Sequence, residues 1–402
     1  MLAPDSAPLV VLLASVLKPV DDTRMRGKFA ETLLARPAVQ VHIAGRTTGS
    51  ATGHDAGDTL DTSAPEATPR LSLHPLFQGS RLSLGRLAAQ WRFWQLLRRV
   101  RPQLLVVHAP ELLPLTLLWQ ALGQGRRFIY DIRENYALNV STQRVYQGFT
   151  RRWLAAGLRW VEARAARRAA GITLAEESYA GELPFLSQLP AGRVVVLENK
   201  YQPEPGEVLP ARPTALPPIT EPLRLLFSGT ISELNGVWEA IALAEKLHAA
   251  WPGGLRLTII GFCQQPELLR QLLHKATQHD DWLILIGGAG LVPHARIVAE
   301  IRRSHLGLLA YRLHPSSARC RPTKLFEYLA HGLPVLAPPN PLWQAEIARH
   351  GAGLAVDFQH LPDGPALVRK LQAACFYPAG ILNDVQWASE GKKLWRLLDS
   401  FI

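Results

Sequence analysis

The sequence predicts an α/β protein made of two doubly wound domains, each built on a parallel β-sheet. Three observations predict this fold class. The chain has 402 residues, more than one hydrophobic core ordinarily serves, so we expect two domains of roughly 150–200 residues each. Short apolar segments alternate with longer helical patterns, which is the βα rhythm of a parallel sheet. This rhythm occurs in two series, which a proline-rich segment separates.

The first series of apolar segments defines an N-terminal domain over residues 1–200. Each segment is short, aliphatic and followed by a helical pattern, as buried parallel strands are. The predicted strands are Leu9–Leu17, Val39–Ala44, Leu104–His108, Arg127–Asp131, Gly171–Ala175 and Arg193–Leu197. A polar segment of low complexity, Thr47–Pro69, interrupts this series and predicts a mobile loop.

A linker and a second series of strands follow. Residues 199–222 contain seven prolines and no sustained apolar period, which predicts an interdomain linker over residues 201–222. A C-terminal domain is then expected over residues 223–377, with helices at Val237–Ala250 and Arg296–Arg303. Its predicted strands are Leu223–Ser228, Leu255–Ile260, Leu283–Ile286, Leu306–Tyr311, Pro334–Ala337 and Gly353–Val356.

The last segment, residues 378–402, predicts a terminal helix outside the βα series. Between Asp384 and Phe401, large apolar residues recur at helical spacing. They are Trp387, Leu394, Trp395, Leu398 and Phe401. We expect this helix to pack across both domains.

The composition is that of a folded globular protein without disulfides. Hydrophobic residues make up 48% of the chain and charged residues 19%, which is enough apolar material for two cores. The three cysteines lie far apart, so neither a disulfide framework nor a zinc site is indicated. The apolar run Leu9–Leu17 follows Asp5 and no basic residue, which argues against a signal peptide. No run approaches the roughly 18–20 apolar residues of a membrane span. We therefore expect a cytoplasmic protein.

Positive charge is concentrated in the first half of the chain. Residues 1–200 carry 25 Lys/Arg and 16 Asp/Glu, whereas residues 201–402 carry 19 and 17. Two predicted helices of this half combine arginines with Trp91, Trp94, Trp153 and Trp160. This pattern suits peripheral binding to an anionic membrane surface, at the inner face of the membrane. The alternative is that the tryptophans are core residues and the arginines a solvated face. We do not expect nucleic acid as a partner, because no recognised nucleic-acid module accompanies the charge.

The most informative motif runs from Arg319 to Pro334. Pro322 suits the first turn of a helix and Gly332 its C-terminal cap, which predicts a helix of about three turns. Lys324 and Glu327 would share the face opposite the core. The carboxylate could accept hydrogen bonds from sugar hydroxyls, and the basic residues of the motif could bind a diphosphate at the helix N-terminus. The alternative is a surface ion pair between Lys324 and Glu327.

This motif resembles the nucleotide-sugar motif of glycosyltransferase family 4, in which a Lys-x-Phe-Glu-Tyr-like helix precedes a Gly-x-Pro-Val turn. The resemblance continues in Phe227–Val237, Glu176–Tyr179 and Glu198–Tyr201. It implies the GT-B architecture, two Rossmann-like domains facing a central cleft. It also implies retaining transfer of a sugar from a nucleoside-diphosphate sugar to a hydroxyl of a sugar or lipid-linked acceptor, as in bacterial polysaccharide or glycolipid synthesis. Members of this architecture need no bound metal, and no other cofactor is expected.

The resemblance assigns roles to residues near the carboxyl ends of the strands, where ligand sites of such sheets lie. Catalytic roles are implied for His108, Glu111 and Glu327. Donor binding is implied for Gly229, Thr230, Asn235, Gly261, Leu291, Val292, Arg319, Lys324, Leu325 and Glu327. Acceptor binding is implied for Lys18, Asp22, Arg24, Asp131 and Glu134. The alternatives are a structural buried histidine at His108 and a loop-capping carboxylate at Asp131.

Three positions depart from the family pattern. The first glutamate of the usual Glu-x7-Glu pair would fall where this chain has Arg319, and the usual Arg and Lys of the phosphate loop fall at Thr230 and Asn235. We therefore expect Arg319 and Lys324 to supply the positive charge for a departing diphosphate. These departures leave two alternative functions open. One is a catalytically weak GT-B subunit that binds a membrane or partner proteins, and the other is a nucleotide-sugar epimerase.

Overall fold

The computed structural model describes residues 8–47, 69–78, 85–138, 149–312 and 318–402. The chain divides into two compact units. The N-terminal unit comprises Met1–Gln202 together with Trp387–Ile402, and the C-terminal unit comprises Pro203–Gln386. The first unit therefore includes the terminal segment of the chain. The predicted loop Thr47–Pro69 lies, apart from its two end residues, outside the described residues.

The N-terminal unit contains a seven-stranded, all-parallel sheet. The strand order is β3-β2-β1-β4-β5-β6-β7, so the chain starts in the middle of the sheet and the order reverses between β1 and β4. The strands are β1 (Leu9–Pro19), β2 (Val39–Arg46), β3 (Leu71–Phe77), β4 (Leu104–Val107), β5 (Arg127–Ile132), β6 (Gly171–Leu174) and β7 (Val194–Val196). Such a switch point is where ligands bind in open α/β sheets.

Helices cover both faces of this sheet. They are α1 (Glu31–Leu34), which continues the π-helical segment Thr23–Ala30, then α2 (Gly85–Val100), α3 (Leu113–Ala121), α4 (Phe149–Arg168), α5 (Tyr179–Glu182) and the terminal helix α12 (Ala388–Asp399). Alternate strand residues face opposite sides, as the pleat requires. Leu12 packs with Phe93 and Trp119 of the α2–α3–α4 layer. Its neighbour Leu13 packs with Phe29 and Leu398 on the opposite face.

The terminal helix belongs to the core of the N-terminal unit. Trp387 is 1% exposed, and its Nε1 donates a hydrogen bond to Oγ1 of Thr32 at 2.8 Å. Its backbone N–H donates to the carbonyl of Tyr201 at 2.6 Å. Glu390 is fully buried and pairs with Lys200 at 2.7 Å. These contacts attach the end of the chain to the segment that follows β7.

The C-terminal unit contains a six-stranded, all-parallel sheet in the order β10-β9-β8-β11-β12-β13. Its strands are β8 (Leu223–Ser228), β9 (Leu255–Phe262), β10 (Leu283–Gly288), β11 (Leu306–Leu308), β12 (Val335–Ala337) and β13 (Gly353–Ala355). Its helices are α6 (Val237–Ala250), α7 (Pro266–Gln278), α8 (His294–Arg303), α9 (Thr323–Ala330), α10 (Pro341–His350) and α11 (Gly364–Ala373). The two parallel sheets confirm the predicted α/β class, and the order again reverses next to the first strand, between β8 and β11.

Candidate functional site

A buried polar cluster lies at the carboxyl ends of the strands in the N-terminal unit, with Asp131 at its centre. Asp131 is fully buried and accepts two hydrogen bonds from Arg24, at 2.8 and 2.7 Å, and one from Thr173 at 2.6 Å. Burial alone would raise the pKa of Asp131. The adjacent Arg24 guanidinium and the hydrogen bonds from Arg24 and His108 outweigh it and hold this pKa well below its ordinary value. The carboxylate is therefore ionised and can only accept.

His108 follows β4 and presents one free acceptor. Its Nδ1 lies 2.8 Å from Oδ2 of Asp131. Because that carboxylate only accepts, Nδ1 carries the proton and Nε2 keeps its lone pair. Nε2 is buried and has no hydrogen-bond partner among the described residues. Burial lowers the pKa of His108 despite the neighbouring carboxylate, so the ring is neutral. This arrangement fixes the tautomer with the proton on Nδ1. The unprotonated Nε2 can therefore accept a hydrogen bond or a proton.

The predicted acceptor residues fall into two groups. Arg24 and Asp131 are at most 1% exposed, so they position other groups and do not offer a binding surface. Asp22 pairs with Arg133 at 2.8 Å and also caps the π-helical segment that contains Arg24. Lys18 and Glu134, by contrast, lie 3.5 Å apart with more than a third of each side chain exposed.

Two further residues complete the description of this region. Glu111 lies in the 3₁₀ turn Pro110–Leu112, and its carboxylate is 3.6 Å from Arg86. Lys28, which the sequence patterns did not indicate, donates a hydrogen bond to Oδ1 of Asn199 at 3.3 Å. Burial, followed by the charges of Arg24 and Arg133, lowers the pKa of Lys28 to about 7. A second titratable group thus lies beside the His108 cluster.

In the C-terminal unit, glycines allow the ends of three neighbouring strands to approach closely. Gly229 follows β8, and Gly261 and Gly287 lie near the ends of β9 and β10, with φ of 94°, 150° and 86°. A Cβ at Gly261 would lie 1.7 Å from the carbonyl oxygen of Gly229, and one at Gly287 would lie 2.6 Å from that of Gly261. Only glycine permits both this backbone conformation and this approach. These strand ends form a glycine surface, in which Gly229 is half-buried, Gly261 is buried and Gly287 is exposed.

The amine of Lys324 lies directly above Gly229. A Cβ at Gly229 would be 2.8 Å from Nζ of Lys324, and the same amine is 5.1 Å from the ring centroid of Phe227 and 5.8 Å from that of Tyr311. Among the described residues, no carboxylate lies within ion-pair distance of it. Burial lowers the pKa of Lys324 to about 8, although Glu327 acts in the opposite direction. At neutral pH the site therefore holds a cation without a counter-ion.

The prediction that Lys324 and Glu327 share an exposed face of α9 is only partly correct. Glu327 is 14% exposed, but Lys324 is buried, with its amine over the rings of Phe227 and Tyr311. The alternative of a surface ion pair between these residues is not seen. Leu325, predicted as a donor contact, is fully buried, so its side chain fills the core and only its backbone could reach a ligand.

Glu327 is instead bound by a histidine that sequence reasoning missed. Nε2 of His294 lies 2.7 Å from Oε1 of Glu327, and Nδ1 lies 3.0 Å from Oε1 of Glu204. The hydrogen bond with Glu327 raises the pKa of His294 to about 9, with the charge of Glu204 adding to it and burial opposing it. His294 is therefore an imidazolium that donates from both nitrogens. The three residues lie far apart in the chain, and no motif connects them.

The remaining predicted donor residues occupy varied positions. Arg319 is exposed and, unlike the neighbouring Arg321, has no carboxylate partner among the described residues. The side chain of Asn235 donates to the backbone carbonyl of Thr230 at 2.7 Å, which fixes the loop after β8. Leu291 is 87% exposed, and Val292 is half-buried beside Gly287. The residues that follow β8 and β10 thus line the glycine surface, whereas Arg319 projects into solvent.

Comparisons with known proteins find a family model that matches part of the chain, and a shared fold. Residues 27–200 match the family model of the glycosyl transferase 4-like domain. Sucrose-phosphate synthase from Thermosynechococcus elongatus is 13% identical, with a TM-score of 0.61 over 97% of this chain and 98% of that chain. A lipopolysaccharide outer core galactosyltransferase is 13% identical, with a TM-score of 0.60 over 98% and 99%. UDP-GlcNAc 2-epimerase from Neisseria meningitidis is 12% identical, with a TM-score of 0.57 over 97% and 100%. No curated protein sequence matches the chain.

At such low identity the structural similarities establish the fold. They extend over nearly the whole of each chain and include both transferases and an epimerase. The family match lies within the N-terminal unit, which carries the His108 cluster. The protein therefore has the GT-B fold with a glycosyl transferase 4-like domain in its N-terminal unit, as the resemblance of its motifs predicted.

Proposed function

We propose that the protein transfers a sugar from a nucleoside-diphosphate sugar to an acceptor hydroxyl. The observation that carries this proposal is the amine of Lys324, a buried cation without a carboxylate partner in the described part of the chain, above the glycine surface at the ends of β8, β9 and β10. An uncompensated buried cation is costly. A diphosphate bound over Gly229 would supply the missing negative charge and accept a charge-assisted hydrogen bond from the Lys324 amine.

The proposed reaction breaks the bond between the anomeric carbon and the diphosphate oxygen. The acceptor oxygen forms the new bond to that carbon, and its proton passes to the departing diphosphate. Negative charge develops on the diphosphate in the transition state, and a cation already in place stabilises it without reorganisation. The family resemblance favours retention of configuration and a reaction without a metal ion.

Glu327 has a second role in this proposal. Its Oε1 is occupied by the His294 imidazolium, which leaves Oε2 able to accept a hydrogen bond from a hydroxyl of the donor. Because the neighbouring imidazolium offsets the negative charge of Glu327, that carboxylate can lie near a diphosphate at lower electrostatic cost. We assign donor binding to the C-terminal unit on this basis.

We assign the acceptor to the N-terminal unit. Lys18 and Glu134 offer exposed charged groups near the end of β1, and Nε2 of the fully buried His108 has no hydrogen-bond partner among the described residues. Arg24 and Asp131 hold His108 in the tautomer that leaves Nε2 unprotonated. A sugar or lipid-linked hydroxyl, as found in bacterial polysaccharide and glycolipid synthesis, fits this set of groups.

A panel of nucleotide sugars tests the proposal. A donor that binds only the native state raises the melting temperature, and the wild-type protein should respond to at least one member of the panel. Lys324→Met should abolish that response, whereas Lys392→Met, which changes an exposed lysine of α12, should retain it. Labelled product should form when an acceptor is added. An isomerised donor formed without any acceptor would instead indicate an epimerase, and the absence of any donor response would indicate a non-catalytic subunit.

A further inference from the structure

The outer surface of the α2–α3–α4 layer exposes an unusual number of large apolar side chains. Trp91 of α2 is 62% exposed, and Trp153 and Trp160 of α4 are 67% and 69% exposed. Leu118 of α3, the helix that contacts both α2 and α4, is 47% exposed. Tryptophans and leucines grouped on one solvent-facing layer mark an interaction surface more often than scattered single residues do.

The spacing of these residues places them on one face of each helix. In α2, Leu87 and Trp91 are four residues apart, and both are exposed while Phe93 on the opposite side is buried. In α4, Trp153 and Trp160 are seven residues apart, two helical turns. The alternative that the tryptophans are core residues is therefore wrong for these three. Half-buried Trp94, by contrast, packs against the core.

The charge of this layer is almost entirely positive. Helices α2 and α4 together contain ten arginines and a single acidic residue, Glu162, and α3 contains no acidic residue. Glu162 is fully buried, where it accepts a hydrogen bond from Tyr130 at 2.8 Å. The surface thus combines exposed aromatic groups with arginines and presents no acid from these helices.

A basic cleft of about 610 Å³ opens at the C-terminal ends of α2 and α3. Trp94 and Trp119 line it together with Arg98, Arg101 and Arg126, and none of its lining residues is acidic. Arg126 is held by a hydrogen bond to the carbonyl of Trp119 at 2.6 Å. The other two arginines have no carboxylate partner among the described residues. Exposed Leu122 lines the same cleft, so the cleft is continuous with the apolar layer.

We propose that the α2–α3–α4 layer docks on a bilayer that contains anionic phospholipid, with the basic cleft receiving lipid phosphate. Tryptophan side chains partition into the interface between headgroups and acyl chains, and arginines bind the negative surface. No helix within the described ranges is long and apolar enough to cross a membrane. The cleft lies where β4 and β5 begin, at the sheet edge opposite His108, so this inference does not depend on the proposed sugar transfer.

Sedimentation of the full-length protein with vesicles tests this proposal. We expect binding to phosphatidylcholine vesicles that contain phosphatidylglycerol, weak binding to phosphatidylcholine alone, and release at high salt. Replacing three tryptophans, in Trp91→Ser/Trp153→Ser/Trp160→Ser, should weaken partitioning by about tenfold or more, because their apolar area no longer leaves water. Replacing two arginines, in Arg98→Gln/Arg101→Gln, should weaken binding to anionic vesicles roughly 10- to 30-fold and leave binding to phosphatidylcholine alone unchanged.

Matched controls separate this surface from general effects. Leu273→Ser and Arg256→Gln change an exposed leucine and an exposed arginine of the C-terminal unit, and both should bind vesicles as the wild type does. All substituted side chains are exposed or line an open cleft, so melting temperatures should stay close to that of the wild type.

Three results would overturn the proposal. The first is absence of binding to anionic vesicles at low salt. The second is loss of binding in the arginine variant but full binding in the tryptophan variant, which would indicate a site for a soluble polyanion. The third is a wild-type dimer that the tryptophan variant converts to monomer, since the layer would then be covered by a second copy of the chain.

Discussion

His294 binds Glu327 through Nε2 at 2.7 Å and Glu204 through Nδ1 at 3.0 Å. The hydrogen bond with Glu327 is the largest cause of its raised pKa, about 9. A raised pKa means that the folded state holds this proton more tightly than the unfolded chain does. The resulting stabilisation is complete below about pH 6.5, the ordinary value for histidine, and is lost as the pH rises through 9.

Glu327→Gln should remove most of this effect. A neutral amide cannot stabilise the imidazolium, so His294 should titrate closer to the ordinary histidine value, and sugar transfer should fall by about tenfold or more. NMR titration of the ring protons and a transfer assay measure the two consequences. Glu204→Gln is the matched control. The Glu204 side chain is 56% exposed, more than that of Glu327, so this substitution should shift the pKa of His294 less and preserve most of the activity. Unchanged titration and activity in Glu327→Gln would refute the role.

Donor binding should weaken as the pH rises through about 8. Lys324 loses its proton there in the free protein, and only the charged amine attracts a diphosphate. Lys324→Met should reduce donor affinity or turnover about ten- to a hundredfold, since a charge-assisted hydrogen bond contributes about 1.5–3 kcal/mol. Lys324→Arg should retain measurable binding at higher pH. Isothermal titration calorimetry across pH 6–10 measures the donor affinity of both variants. If donor affinity in Lys324→Met depends on pH as it does in the wild type, this amine is excluded from the phosphate site.

Asp131→Asn should destabilise the N-terminal unit. The substitution leaves Arg24 buried without its counter-ion, for which a loss of about 3–5 kcal/mol in the free energy of unfolding is typical. Asp399→Asn removes the partner of Arg36 in a pair that is 44% and 52% exposed, and it should cost at most about 1 kcal/mol. Urea denaturation of the two variants compares them directly. Equal, small losses would show that the buried cluster contributes little to stability.

The βα architecture could be predicted from the sequence because buried parallel strands leave a strong apolar signal. Each of the twelve predicted strands overlaps an observed one, and β8 and α6 have the predicted bounds. The missing strand is β3, Leu71–Phe77. It lies at the edge of the sheet and contains Pro75, which an edge strand tolerates. Its apolar residues also alternate with polar ones, so the apolar signal of this strand is weak.

The candidate site was less predictable, because its chemistry depends on contacts between distant segments. The motif around Lys324 and Glu327 identified the helix. Helical spacing alone could not show that the Lys324 amine lies over the rings of Phe227 and Tyr311, or that the Glu327 carboxylate pairs with His294. Similarly, the sequence indicated His108 and Asp131 individually, but the bond between them and the buried Lys28 depend on how β1, β4 and β5 align.

Activity should be insensitive to chelators. In the proposed mechanism the charge on the departing diphosphate is met by the amine of Lys324, so no divalent cation is required. Transfer measured with EDTA should equal transfer without it. Loss of activity that magnesium or manganese restores would show that a metal ion shares this role.

The contact between Gly229 and Lys324 gives the sharpest test of the phosphate site. Gly229→Ala would place a methyl group 2.8 Å from both Cε and Nζ of Lys324, so the amine must move. The substitution also strains the backbone, because φ is 94°. Gly254→Ala controls for that strain: φ is 81°, and a Cβ there meets nothing within 4 Å. Both variants should lose a similar, modest amount of stability, about 1 kcal/mol or more.

Their effects on the donor should differ. Gly254→Ala should bind the nucleotide sugar as the wild type does, whereas Gly229→Ala should bind it about tenfold or more weakly, because the displaced amine no longer meets the diphosphate. A double-mutant cycle with Lys324→Met isolates this effect. If the methyl group acts by displacing the amine, adding Gly229→Ala to Lys324→Met should cost little further affinity. Fully additive losses would mean that the methyl group blocks the donor directly and that Lys324 acts independently of Gly229.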